Sequence, residues 1–220
     1  CTIIAAVSAR RALELCKRFG DRAREGETLA TLGVIHAALG LYDQAAEHYA
    51  AALDLLDGTG SRWAYADCLV HAGACDVRRG HASGLDMIAE GARQAAAIGA
   101  RYVEVHARLA RAEAATRAGD ARTAADDAAI AAAAARQATL AGFEAIALAR
   151  QAAATAALGQ QGRVLVHRHE GRAPGRIDDA AQLAQHALPA ALAHVRGLVA
   201  RAAAHEHLGA RQQHLLDRSV

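Results

Sequence analysis

The chain has 220 residues and a formal net charge of +2, with both signs of charge intermixed. That pattern describes a solvated surface and excludes a basic stripe built for nucleic acid. Hydrophobic residues make up 53% but aromatics only 3%, and Ala supplies most of the difference, so the composition favours helices packed at close range over a round core of large side chains.

Glycines punctuate the chain. Gly40, Gly80, Gly119 and Gly159 are spaced by 40, 39 and 40 residues, and Gly209 follows 50 later. A second series, Gly20, Gly60, Gly99 and Gly142, falls about halfway between. Each reads as the stop of an amphipathic helix, and two stops per period predict two helices per period, an αα-hairpin.

In chain order, residues 1–20 read as the return helix of a truncated repeat, because Ala12 lies 21 before Gly33 just as Ala52 lies 21 before Gly73 and Ala131 lies 21 before Ala152. The chain is therefore expected to start in mid-repeat. Residues 26–59 form the clearest unit: Leu29, Leu32, Gly33 and His36 on a first helix, then Tyr42, Ala45, Tyr49, Ala52 and Leu55 on the return. These spacings resemble the tetratricopeptide repeat. Gly33 lets the two helices touch, Ala45 and Ala52 keep the return helix close, and Tyr49 fills the space between pairs. A second repeat over 66–99 is marked by Leu69, Gly73, Leu85, Ala89 and Ala92, although Ala92 lies 20 rather than 21 before Ala112. A third, over 105–140, carries Ala112, Ala124, Ala128 and Ala131, with Arg108 where a Leu is expected. A fourth, over 145–190, begins with Leu148 and Ala152 and is interrupted by an inserted loop at 160–176, which holds Gly162, Gly171, Pro174 and Gly175. Ala181 lies 21 before Ala202, so the array resumes, and 195–220 forms a terminal helix (Leu198, Ala202, His205, Gly209) with a polar, fraying tail.

The fold expected from this resemblance is all-α: a right-handed α-α superhelix, or solenoid, of tetratricopeptide-like helix pairs. The long period and the joints Arg18-Phe19-Gly20-Asp21-Arg22, Gly60-Ser61-Arg62-Trp63 and Gly99-Ala100-Arg101-Tyr102 resemble the C-terminal sensor regions of bacterial signal-transduction ATPases. These include LuxR-type transcription activators and ATPase-linked adenylate cyclases. In that family the first helix of each pair lines a concave groove. The resemblance implies a partner-binding face of Ala30, Val34 and Ala37, then Asp67, Val70 and Arg78, then His106, Glu113 and Arg117, with Ile146, Ala149 and Ala153 beyond. Such a groove is apolar at both ends and charged in the middle. It suits an amphipathic peptide or protein segment, the parent protein's own ATPase module, or a small inducer. The function expected is a non-catalytic scaffold, the sensor or regulatory arm of a larger bacterial signalling or transcription-regulatory protein, with no cofactor. No nucleic-acid contact by this segment and no membrane partner are expected.

Candidate chemistry is sparse. Cys68, His71 and Cys75, at i, i+3 and i+7, could offer two thiolates and an imidazole to a metal, the basis of a metal-dependent enzyme as the competing reading. A closed structural zinc site wants a fourth ligand, and buried small residues are the simpler account of the cysteines. His167-Arg168-His169 and His205-Glu206-His207 are pairs without a closed ligand set, so no metal site is expected. Asp126-Asp127 and Asp178-Asp179 diverge around a helix, and the latter reads as charge favourable to a helix N-terminus. Ser8 and Ser83 have no His and Asp in motif context, and the segment from Gly162 to Gly175 lacks the ending of a phosphate loop. Trp63 reads as a packing anchor between repeats. Cys1, Cys16, Cys68 and Cys75 have no disulfide spacing and read as reduced thiols. No stretch has the form of a signal peptide, and the Ala-rich run at 128–135 is too short and too weakly apolar to span a bilayer, so a cytoplasmic location is expected.

Overall fold

The computed structural model describes residues 2–170, with side chains over 4–161. The described residues are all-helical: α1 (Thr2–Phe19), α2 (Arg22–Ala38), α3 (Tyr42–Leu56), α4 (Arg62–Arg79), α5 (Ser83–Ile98), α6 (Arg101–Arg117), α7 (Ala121–Gln137) and α8 (Ala141–Glu170). No described helix is long and apolar enough to cross a membrane.

The glycines expected as stops act as stops at most joints. Gly20, Gly40, Gly80, Gly99 and Gly119 all have φ between 69° and 87°. At each, the residue after the glycine donates its amide five residues back, as in Leu41 N to His36 O at 2.9 Å, His81 N to Asp76 O at 2.9 Å and Asp120 N to Ala115 O at 2.9 Å. This is the Schellman closure, which satisfies carbonyls the helix end would leave orphaned. Asp21 and Asp120 then cap the next helices, accepting from Arg24 N and Thr123 N. The joint between α7 and α8 uses the same closure, Leu140 N to Ala135 O at 2.8 Å, but Thr139 occupies the left-handed position at φ 57°. Gly142, expected as that stop, lies three residues later in the first turn of α8. A β-branched residue in that region is strained by about 1–2 kcal/mol. Thr139→Gly is therefore expected to raise the unfolding free energy by about 1 kcal/mol, read as a higher urea midpoint; an unchanged or lower midpoint would refute the strain.

Packing between helices relies on small residues facing one another. A methyl group at Gly33 would stand 2.5 Å from the Tyr49 ring, and one at Gly26 would stand 2.7 Å from Leu56 Cγ. Tyr49, Ala45 and Ala52 are buried, as the repeat pattern requires. In the second pair, α4 and α5 meet backbone to backbone, where Gly73 faces Gly84. Here the register differs from the sequence reading by one residue. Leu85 is 48% exposed and Ala89 is exposed, while Gly84, Ile88, Gly91 and Ala95 form the buried stripe of α5. Gly91, not Ala92, lies 21 residues before Ala112, so the spacing is uniform after all. In α6, Leu109 is buried and Arg108 turns outward to Asp127.

Each helix packs on its sequence neighbours. The even-numbered helices also touch one another: α2 meets α4, α4 meets α6, and α6 meets α8. The core passes along the stack in successive clusters, around Tyr49, Leu56 and Cys68, then Val70, Ile88 and Val103, then Val105, Leu109 and Phe143.

The stop expected at Gly159 and the start of the expected 160–176 loop are corrected by α8, which continues as helix to Glu170. A single interior glycine costs a helix only about 1 kcal/mol, so a glycine without a following cap does not end one. The remainder of that loop, the rest of the fourth repeat, the terminal helix over 195–220, Asp178-Asp179 and His205-Glu206-His207 lie outside the described residues, as do the side chains of His167 and His169.

Candidate functional site

The site is built on α4 and α6, with α8 alongside. On α4, Trp63, Asp67, His71 and Arg78 fall at i, i+4, i+8 and i+15 and share one face; on α6, Tyr102, His106, Glu113 and Arg117 fall at i, i+4, i+11 and i+15 and likewise share one face. The contact between α4 and α6 lays these two rows side by side.

Toward the start of both helices, Asp67 stands between two imidazoles. Its Oδ2 lies 3.7 Å from His71 Nε2, and its Oδ1 lies 3.6 Å from His106 Nδ1. The three side chains are each just under one-fifth exposed. The rings of His71 and His106 have centroids 4.2 Å apart, tilted by 54°. Aromatic rings surround them. Tyr49 is stacked 6.2 Å from His71, Tyr102 lies 6.3 Å from His106, and Phe143 of α8 meets Tyr102 edge-on at 5.0 Å. Trp63, half-exposed, has its ring 6.3 Å from Tyr102, which places it across the boundary between repeats as expected.

Eleven residues farther along α4, roughly 16 Å at the helical rise, lies an ionic cluster. Arg78 grips Glu113 with a two-pronged hydrogen bond: Nε donates to Oε1 at 2.6 Å and Nη2 to Oε2 at 2.8 Å. Arg150 of α8 donates to the same Oε2 at 3.0 Å. Burial by itself would raise the Glu113 pKa, but the Arg78 fork and the Arg150 charge outweigh it and hold the carboxyl down at about 2. The Arg78 guanidinium also lies 6.0 Å from the centre of the Tyr42 ring. Beneath α6, on its other side, Asp127 is buried between Arg108 at 3.2 Å and Arg111 at 3.3 Å, while its neighbour Asp126 is exposed, so that pair diverges as expected.

The other expected residues fall as follows. Ala30, Val34 and Ala37 are half-buried against the first core cluster. Asp67, Arg78, His106 and Glu113 come together in the arrangement above, and Arg117 is exposed at its far end. Val70 is corrected: it is fully buried between α4 and its neighbours, packed with Ile88 and Val103, and offers nothing to a groove. On α8, Ile146 packs against the third core cluster, Ala149 is half-buried and Ala153 exposed, but the helix also sends Arg150 into the ionic cluster. The apolar end expected there therefore begins beyond a charge.

The Cys68/His71/Cys75 set does not converge. Both thiols turn toward α3, Cys68 Sγ to Tyr49 O at 3.8 Å and Cys75 Sγ to Tyr42 O at 3.3 Å. Burial, with Asp67 nearby, pushes the Cys68 thiol up to about 12, and burial also raises Cys75, so both stay protonated and inert. His71 turns instead to Asp67 and His106, a grouping that spacing along one helix does not reveal. Compared with known proteins, the chain matches no family model and no curated sequence.

Proposed function

We propose that the chain is a non-catalytic binding scaffold, a right-handed solenoid of tetratricopeptide-like pairs whose even-numbered helices form the concave wall. The observation that carries this reading is the asymmetry of the stack. Even helices touch one another, whereas among the described residues the odd helices α3, α5 and α7 make no comparable contact with each other. A stack that is tighter along one row curves toward that row. That row carries Asp67, His71, Arg78, His106, Glu113, Arg117 and Arg150, with Trp63 and Tyr102 at one end.

Partly exposed charges of both signs beside aromatic rings suit a peptide or protein segment with alternating charge and an apolar anchor. The resemblance of the joints to bacterial sensor arms makes the natural setting a regulatory part of a larger signalling or transcription-regulatory protein, with the bound state passed through nearest-neighbour interfaces.

A displayed random-peptide library selected against the protein in EDTA tests the reading. Enriched peptides are expected to lose at least tenfold in affinity for the Arg117→Glu/Trp63→Ala variant. They are expected to bind Arg93→Glu, on exposed α5, as tightly as the parent. Equal binding to all three proteins would remove the groove as the site.

A further inference from the structure

We infer that Asp67, His71 and His106 form a binding site for a divalent first-row transition cation that pins α4 to α6. The reading goes beyond the scaffold role and does not depend on it. One ligand atom from each of the three side chains lies within 4.8 Å of the other two, and this is the grouping of that kind among the described residues.

The separations lie close to those of ligands gathered on one ion. The carboxylate oxygens stand 3.6 and 3.7 Å from the imidazole nitrogens, beyond hydrogen-bond range. Ligands on one ion at about 2.0–2.1 Å bond length lie about 3.3 Å apart across a tetrahedral angle. The two carboxylate–imidazole separations, one to each oxygen of Asp67, exceed that spacing by a few tenths of an ångström, and one ligand atom from each of the three side chains lies within 4.8 Å of the others, so the set draws in by up to about 1.5 Å to share one ion.

The two imidazole rings, with centres 4.2 Å apart, each bring a ring nitrogen of the kind a transition cation takes as a ligand. Two nitrogens and one oxygen select Zn²⁺, Ni²⁺, Co²⁺ or Fe²⁺ over Mg²⁺ and Ca²⁺, which prefer oxygen alone.

The local frame supports the site. Asp67 and His71 are one helical turn apart, so α4 presents them as a pair, and His106 arrives from the adjacent helix. Tyr49, Tyr102 and Phe143 supply an apolar surround, the kind of shell that raises the strength of ligand bonds. The partial exposure of all three ligands leaves coordination positions open to water or to a side chain of a bound partner.

The test is calorimetric titration of the metal-stripped full chain with ZnCl₂ at pH 7.5, with the visible spectrum of the Co²⁺ complex as a second readout. The expected result is a saturable site with one ion per chain and a tetrahedral or five-coordinate Co²⁺ spectrum. His106→Gln and Asp67→Asn, each checked for retained helicity by circular dichroism, are expected to weaken it at least tenfold. His167→Gln/His169→Gln is expected to leave it unchanged. Absence of stoichiometric binding would overturn the inference. So would binding that survives both His106→Gln and Asp67→Asn, or that is lost with His167→Gln/His169→Gln and kept in the other two.

Discussion

Replacing Gly73 by Ala is expected to lower the unfolding free energy by about 2–3 kcal/mol. A methyl group there would stand 2.5 Å from the carbonyl oxygen of Gly84 and 2.9 Å from both the backbone nitrogen and Cγ1 of Ile88. Two of those atoms are backbone, so no rotamer change relieves the clash; α4 and α5 must separate, and Ile88, fully buried, loses its packing with them. Gly142→Ala makes the matched control. Gly142 sits in the first turn of α8 with nothing within 4 Å of the added methyl, so helix propensity alone acts and stability should rise by up to about 1 kcal/mol. Urea unfolding of both variants checks the pair. Equal effects would mean that the glycine contact between α4 and α5 is not what sets their spacing.

The second large effect is expected at Glu113. Glu113→Gln removes the charge that Arg78 and Arg150 share and leaves two guanidinium groups facing each other across an uncharged amide. Breaking a fully buried pair costs about 3–5 kcal/mol. Glu113 and Arg78 are about one-fifth and one-quarter exposed, so water softens the loss, and about 2–3 kcal/mol is expected at neutral pH.

The pH dependence has a definite direction. The folded carboxyl titrates at about 2 against an ordinary 4.5. Its stabilising contribution is therefore fully present above pH 4.5 and is lost as pH falls through that range toward 2. The gap in stability between the parent and Glu113→Gln should accordingly be constant at neutral pH and close between pH 4.5 and 2. A gap that stays constant down to pH 2 would mean that the ionised carboxylate is not the source of the effect.

Much of the architecture was legible in the glycines. At 20, 40, 80, 99 and 119 they stand where the chain must take a positive φ to close a helix, and no other residue does that without strain. The pattern failed where a glycine served packing instead. Gly84 and Gly91 line the buried stripe of α5, so a reading that followed Leu85 and Ala92 fell one residue out of register. The spacing of 20 in place of 21 was the trace of that slip. At residue 139 the chain makes the same turn with Thr, and no glycine signal marks it. At Gly159 the residue type pointed to a stop, yet no proline follows until Pro174, and the helix continues to Glu170.

The site was less legible, because its contacts cross the repeat. Asp67 and His106 are 39 residues apart, about one period, and Glu113 and Arg150 are 37 apart. Residues one period apart on the first helices of successive pairs become neighbours, so a search for complementary types at that separation would have paired them. Spacing within one helix grouped Cys68, His71 and Cys75 instead, with the cysteines read as buried small residues, and the structure buries the thiols toward α3 and turns the imidazole toward α6. Val70 shows the limit of transferring a groove position by resemblance: one residue of rotation separates a wall residue from a core residue.

Hydrogen–deuterium exchange with and without a selected peptide tests whether the even-numbered helices present the binding face. Added protection is expected on peptides covering 62–79 and 101–117, with α3 and α5 unchanged. Protection concentrated on 42–56 and 83–98, with the even helices unchanged, would contradict it.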